Sequence, residues 1–255
     1  MSEHPSDGRS FDAERWPTAG VGSRRPSAPV KDPVPKRVLS STSFLLDTSR
    51  RRRGGRMFLW SVVVALALAG VGLASYPFVT DVWAGRIQND LQKDYQENAA
   101  ALAAAYRARA FDPGDTLTKL HIPSLGVNRI VVEGITGNAL RAGLGHYPNT
   151  ALPGDTTGNI AIAGHRTGFG EPFRHLDALK EGDRIELETP LGRFIYAVMP
   201  DFDGHGNPWI TAADDWTVTT PTPEPSLTLT TCDPPGTSIN RLIVRARLVA
   251  TKPVA

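Results

Sequence analysis

Twenty-three consecutive residues carry no charge: MFLWSVVVALALAGVGLASYPFV, from Met57 to Val79. Coiled as a helix, such a run reaches about 34 Å, enough to cross a hydrocarbon layer of ~30 Å. Trp60 stands near one end of it, and Tyr76 and Trp83 near the other, where interfacial aromatics belong. A basic run, Arg50 to Arg56, precedes it, which predicts a cytoplasmic N-terminus and an external remainder. The charge distribution agrees. Residues 1–56 hold 12 Lys/Arg against 6 Asp/Glu, and the rest holds 16 against 20. A basic head on a mildly acidic body fits a membrane segment between them and argues against a nucleic-acid binder. The rival is a cleaved signal peptide, for which Gly72-Leu73-Ala74 offers small residues. The apolar run exceeds the usual 7–15 residue signal core and a long head precedes it, so a retained single-pass anchor is expected.

Around this anchor the chain divides into four parts. Residues 1–56 are rich in Pro, Ser, Arg and Asp without apolar periodicity, and are expected to be a disordered basic cytoplasmic segment. Residues 57–79 are the anchor. Residues 80–115 read as a juxtamembrane helix and linker: Ile87, Leu91, Tyr95, Leu102 and Tyr106 recur at near-helical spacing. That helix either packs on the following domain or stands solvated. From residue 116 to 255 the texture becomes short apolar strands punctuated by Gly, Pro and Asn. LTKLHIPSLGVNRIVVEG offers two strands about a Ser-Leu-Gly turn, and RIELETPLGRFIYAVMP a hairpin about Pro190-Leu191-Gly192. EPFRHLDALKEGD reads as a short helix with Phe173, Leu176 and Leu179 on one face, and 201–225 as loop. The fold class expected is all-β with minor helix: a closed or half-closed barrel of seven or eight strands.

Cys232 is the only cysteine, which excludes an intramolecular disulfide and multi-cysteine zinc sites. The six histidines show no metal-ligand spacing, and no Asp/Glu cluster resembles a calcium loop, so no metal and no cofactor is expected. Three strand ends carry reactive side chains. His165 closes IAIAGH, Cys232 closes LTLTTC, and Arg241 opens RLIVRARL. In that last strand Leu242, Val244, Ala246 and Leu248 share the core-facing parity, and Arg241 shares the other with Ile243, Arg245 and Arg247. Each residue has a plain alternative: a small buried thiol, a hydrogen-bonding histidine, solvated arginines.

The combination resembles the sortases, membrane-anchored cysteine transpeptidases of Gram-positive bacteria. The resemblance rests on LTLTTCDP with RLIV beginning nine residues after the cysteine, on NIAIAGHR upstream, and on LHIPSLGV before that. It covers about Leu117 to Val249, and GHYPNTALPG and AIAGHRTGFGEPF look most like the class E enzymes of actinobacteria. It implies that Cys232 attacks the Thr–Gly carbonyl of an LPxTG- or LAxTG-like C-terminal sorting signal. An amine of a peptidoglycan precursor such as lipid II, or a pilin lysine, then takes the acyl group. His165 would be the general acid and base, and Arg241 the holder of substrate and oxyanion. Thr231 would bond to the substrate backbone, and Tyr147 would bias the signal toward LAxTG. The segment 201–225 would be the loop of the substrate groove.

Papain-like proteases place cysteine before histidine in a CGSCW context, and L,D-transpeptidases use SHGC. TLTTC departs from both. The non-enzymatic alternative is a tethered β-barrel that binds cell-wall polymer or a surface protein, with Cys232 buried and inert.

Overall fold

A computed structural model describes residues 43–202 and 204–253. The expectation of disorder for residues 1–56 therefore falls for the most part outside the described residues. The chain separates into two units, 1–59 and 60–255, and the second contains the elements that build the site.

Strand β1 (Thr116–Ile122) and strand β2 (Val127–Glu133) form an antiparallel hairpin. Its turn is one 3-10 turn, Pro123–Leu125, closed by Gly126 at φ 65°. Proline pre-sets the turn's first residue, and glycine takes the left-handed position without a Cβ clash. Helix α3 (Gly137–Ala142) follows, capped by Thr136, whose Oγ1 accepts from the Ala139 amide at 3.3 Å. The remaining strands are β3 (Leu144–His146), β4 (Asn159–Gly164), β5 (Arg184–Thr189), β6 (Gly192–Val198), β7 (Asp201–Phe202), β8 (His205–Gly206), β9 (Trp209–Ala212), β10 (Ser226–Asp233) and β11 (Asn240–Lys252).

The sheet runs β10-β4-β3-β2-β1-β5-β6-β11, and β11 pairs back onto β10, so eight strands close into a barrel. Side chains fill a barrel of this size; Leu120, Ile162, Leu187, Leu229 and Val244 are wholly buried in its core. Strand β11 is long enough to serve two neighbours along one edge. Its later half pairs with β6, and Asn240–Ile243 pair with β9.

The juxtamembrane segment packs on the barrel. Helix α1 (Ser43–Glu97) and helix α2 (Ala99–Ala108) meet at Asn98. Tyr95, Leu102 and Tyr106 are buried with Leu117, Ile130 and Leu152 in a second apolar cluster. The two tyrosine hydroxyls reach the barrel backbone: Tyr95 donates to the Glu188 carbonyl at 2.7 Å, and Tyr106 to that of Leu117 at 2.9 Å. Gln88 accepts from the Ile130 amide at 2.9 Å and donates to the Ala142 carbonyl at 2.6 Å. The described residues include one helix, within α1, long and apolar enough to cross a membrane.

Three details differ from the sequence reading. The expected helix in 171–183 is a chain of turns with a single 3-10 turn, Leu176–Ala178. Phe173, Leu176 and Leu179 are buried as expected, but their spacing of three suits the 3-10 period, and Pro172 and Gly182 leave no room for a longer helix. The loop 201–225 contains β7, β8, β9 and a 3-10 turn, Trp216–Thr219. Arg245, grouped by parity with solvated arginines, is 1 % exposed. The β6–β10 connection folds over that face of β11: Phe202 lies 3.9 Å from the guanidinium carbon, and Asn207 bonds to both the amide and the carbonyl of Arg245. Burial lowers the Arg245 pKa to about 10, which leaves it charged at neutral pH.

Candidate active site

The ends of β4, β10 and β11 meet at one end of the barrel. Cys232 is the register partner of Arg241 across the antiparallel β10–β11 pair. Strand β4 runs parallel to β10 on the other side, with Thr230 opposite Ala163. His165 is the first residue beyond β4, so the three side chains leave the sheet at nearly the same level. A cleft of about 270 Å³ opens there, lined by Cys232, His165, Arg241, Thr231, Tyr147, Trp216 and Asp215 among others.

Each position has a local cause. Gly164 sits where an added Cβ would come within 2.5 Å of Leu144 and 2.7 Å of Phe173, so only glycine lets β4 deliver His165 at this point. Thr231 is 3 % exposed and its Oγ1 donates to the Gly164 carbonyl at 2.8 Å, which ties β10 to β4 one residue before the cysteine. Tyr147 follows β3 and meets Trp216 edge to face, ring centroids 6.4 Å apart, as an aromatic wall. Burial raises the pKa of its hydroxyl, partly offset by the positive charge of Arg241. Arg241 directs Nη1 to the Ser238 and Asn240 carbonyls at 3.3 and 3.0 Å.

Burial lowers the pKa of His165, and the Arg141 charge from α3 adds to the effect. At neutral pH the imidazole is thus mostly neutral and able to accept a proton. Cys232 is half-buried and free.

Two residues without a role in the sequence reading lock the site from behind. Arg166 is 6 % exposed. It forms an ion pair with Asp233 and another with Asp177 at 3.1 Å, and approaches the Cys232 carbonyl at 3.4 Å. The residue after the histidine is thereby joined to the residue after the cysteine. Both stood within the quoted motifs, but nothing in a linear pattern says that two motifs far apart in sequence share an ion pair. Trp216 and Asp215 lie in the 201–225 segment expected to border the groove, but neither was singled out within it. Among the described residues no group of His, Cys, Asp and Glu gathers as metal ligands.

An eight-stranded barrel with a thiol, an imidazole and a guanidinium converging on one cleft, preceded by an apolar helix, defines a class of cysteine enzymes. The sortase domain model matches residues 120–249. Sortase SrtE1 of Streptomyces coelicolor is 30% identical over 80% of this chain, which spans 62% of that protein's length. SrtE2 of the same organism is 30% identical, with 80% of this chain and 88% of the relative covered. Among solved structures, a Clostridium perfringens sortase D5 transpeptidase superposes with TM-score 0.56 at 27% identity, covering 65% of this chain and 99% of the other. Sortase E1 of S. coelicolor with a tripeptide in the active site gives TM-score 0.50 at 34% identity, covering 56% and 94%. The chain belongs to the sortase family of cysteine transpeptidases.

Proposed function

We propose that this protein is a membrane-anchored transpeptidase that cleaves an LPxTG- or LAxTG-like sorting signal between Thr and Gly, with Cys232 as nucleophile. The observation that carries the reading is the meeting of Cys232, its register partner Arg241 and His165 in one cleft.

The thiol proton passes to the neutral His165, and the thiolate sulfur attacks the threonine carbonyl carbon. The carbonyl π electrons move to oxygen, where Arg241 donates to the oxyanion; its guanidinium stays protonated and cannot act as base. The intermediate collapses, the C–N bond breaks, and the imidazolium protonates the departing glycine nitrogen. A thioester remains on Cys232. An acceptor amine attacks it, gives a proton to His165, and expels the thiolate. A peptidoglycan-precursor amine such as that of lipid II, or a pilin lysine, fits this step. Thr231 supports the groove floor. Tyr147, which lines the cleft against Trp216, matches the class E tyrosine whose resemblance implies a signal of LAxTG rather than LPxTG type. The tripeptide in the active site of the S. coelicolor sortase E1 is consistent with a peptide in the corresponding cleft. With Arg50–Arg56 held on the cytoplasmic side, the barrel lies outside the cell.

The test is to incubate the full chain in detergent micelles with LAxTG and LPxTG peptides and a glycine-derived amine. Mass spectrometry should find cleavage after Thr and a Thr–amine product, both lost in Cys232→Ala. Turnover by the alanine variant refutes the nucleophile.

A further inference from the structure

Trp83 looked like a membrane-belt residue, yet its ring is engaged by the barrel. Asp81, Trp83 and Ala84 lie within about one and a half helical turns of Val79, the end of the uncharged run. This turn of α1 packs on the loop that follows His165. The Gly170 amide donates to Asp81 Oδ1 at 2.9 Å. Ala84 is 3 % exposed, and a Cβ at Gly170 would lie 3.8 Å from its methyl. Trp83 meets Phe169 edge to face with centroids 6.4 Å apart. Phe169 in turn lies against the His165 ring, centroids 5.1 Å apart and planes inclined by 33°.

The loop has a backbone that needs support. Gly168, Phe169, Gly170 and Glu171 all have positive φ, at 70°, 52°, 76° and 43°. For Phe169 and Glu171 this left-handed conformation is unfavourable and persists only where the surroundings hold it. The Asp81 bond, the Trp83 ring and the Glu171 carboxylate, which accepts from the Gly168 amide at 3.3 Å, supply that hold.

We propose that the exit turn of the anchor helix is a working part of the active site: Asp81 and Trp83 hold the 168–171 loop and, through Phe169, fix the His165 imidazole in the cleft. Trp83, Asp81 and Phe169 are positioning residues. The inference rests on the reading of His165 as the acid and base. It makes the anchor more than a tether, because the imidazole that moves the proton is seated by the first turn of helix after the apolar run.

The titratable and charged groups around His165 are Arg141 on α3, Cys232 on β10, Arg241 on β11, the adjacent Arg166, paired with Asp233 and Asp177, and Glu171 in the loop, paired with Arg174. None of them forms a ring contact with Trp83 or Phe169, which meet each other and His165. Removing either ring therefore changes the covering of the imidazole first.

The test uses the full chain in detergent micelles with histidine labelled at Cε1, the His165 resonance being assigned by its loss in His165→Asn. Trp83 is 45 % exposed and Phe169 is only half-buried, so both tolerate truncation. In Trp83→Ala and Phe169→Ala the titration midpoint of His165 should rise toward the ordinary histidine value, as desolvation is relieved. Peptide cleavage should lose roughly 10- to 100-fold in kcat, through misplacement of the acid, with KM changed by less than about twofold. Trp83→Phe and Phe169→Tyr should restore both readouts. An unchanged His165 midpoint in both alanine variants overturns the proposal, as does a loss of activity that the aromatic replacements do not rescue. Full activity of His165→Asn would refute the catalytic reading instead; the midpoint decides the packing claim by itself.

Discussion

Replacing Arg166 with methionine keeps the length and apolar stem of the side chain and removes its charge. Two carboxylates lose a partner. Asp177 is 54 % exposed at its side chain, so solvent takes over and little is lost there. Asp233 is 16 % exposed and Arg166 7 %, so the second pair is shielded. Removing one member of a buried pair costs about 3–5 kcal/mol, because the other charge is left without compensation. Asp233 keeps some contact with water, which places this case at the lower end, about 3 kcal/mol. For a domain of this size each kcal/mol moves the midpoint of thermal unfolding by about 2–4 °C, so a fall of roughly 6–12 °C is expected. Peptide cleavage should fall as well, since the pair joins the residue after His165 to the residue after Cys232. The assay is thermal unfolding of the full chain in detergent for Arg166→Met, Asp233→Asn and the double variant. The double variant should be less destabilised than the sum of the singles, with a coupling above about 0.5 kcal/mol. Additive effects, or a midpoint within about 2 °C of the parent for Arg166→Met, would show that the two strand ends are held by backbone pairing alone.

Arg241→Lys should lose on the order of 10²–10³ in kcat with the fold intact, because lysine keeps the charge but not the planar multi-donor fork. Arg247→Lys, on an exposed position of the same strand, is the control; an equal effect at both removes Arg241 from the site. Gly164→Ala should cost about 1–3 kcal/mol of stability and displace His165, given the 2.5 Å approach to Leu144; chemical denaturation at unchanged slope measures it. The lowered pKa of His165 gives a signed pH effect. Below the ordinary histidine value of about 6.5 the unfolded chain binds a proton that the folded chain does not, so His165 makes stability decrease as the pH falls from there to its folded-state pKa. His165→Gln should flatten that part of the stability–pH curve, and an unchanged curve would contradict the assigned burial effect.

What could be read before folding was whatever a local pattern encodes. Two short apolar runs, β1 and β2, with the Ser124-Leu125-Gly126 turn between them, specify a hairpin because turn chemistry is set by residues two or three apart. The span and its basic flank needed only length and charge. Cys232, His165 and Arg241 stood out because each closes or opens a strand in a distinctive local context. The juxtamembrane residues Leu91, Tyr95, Leu102 and Tyr106 announced a helix, but periodicity alone does not say what a stripe packs against.

The covering of outward faces was not legible, because parity along a strand reports which side a residue takes and not what later lies over it. Arg245 is buried because Phe202, Asn207 and Val218 arrive from a connection that shares no pattern with β11. Arg166 joins Asp233, and Trp83 reaches Phe169, only once barrel closure and helix docking have brought distant segments together. The sequence by itself determined the long apolar helix, most of the barrel strands and the local contexts of Cys232, His165 and Arg241, since those follow from short-range chemistry. The tertiary structure alone decided how those residues are seated, because contacts between remote segments exist only after the chain has closed.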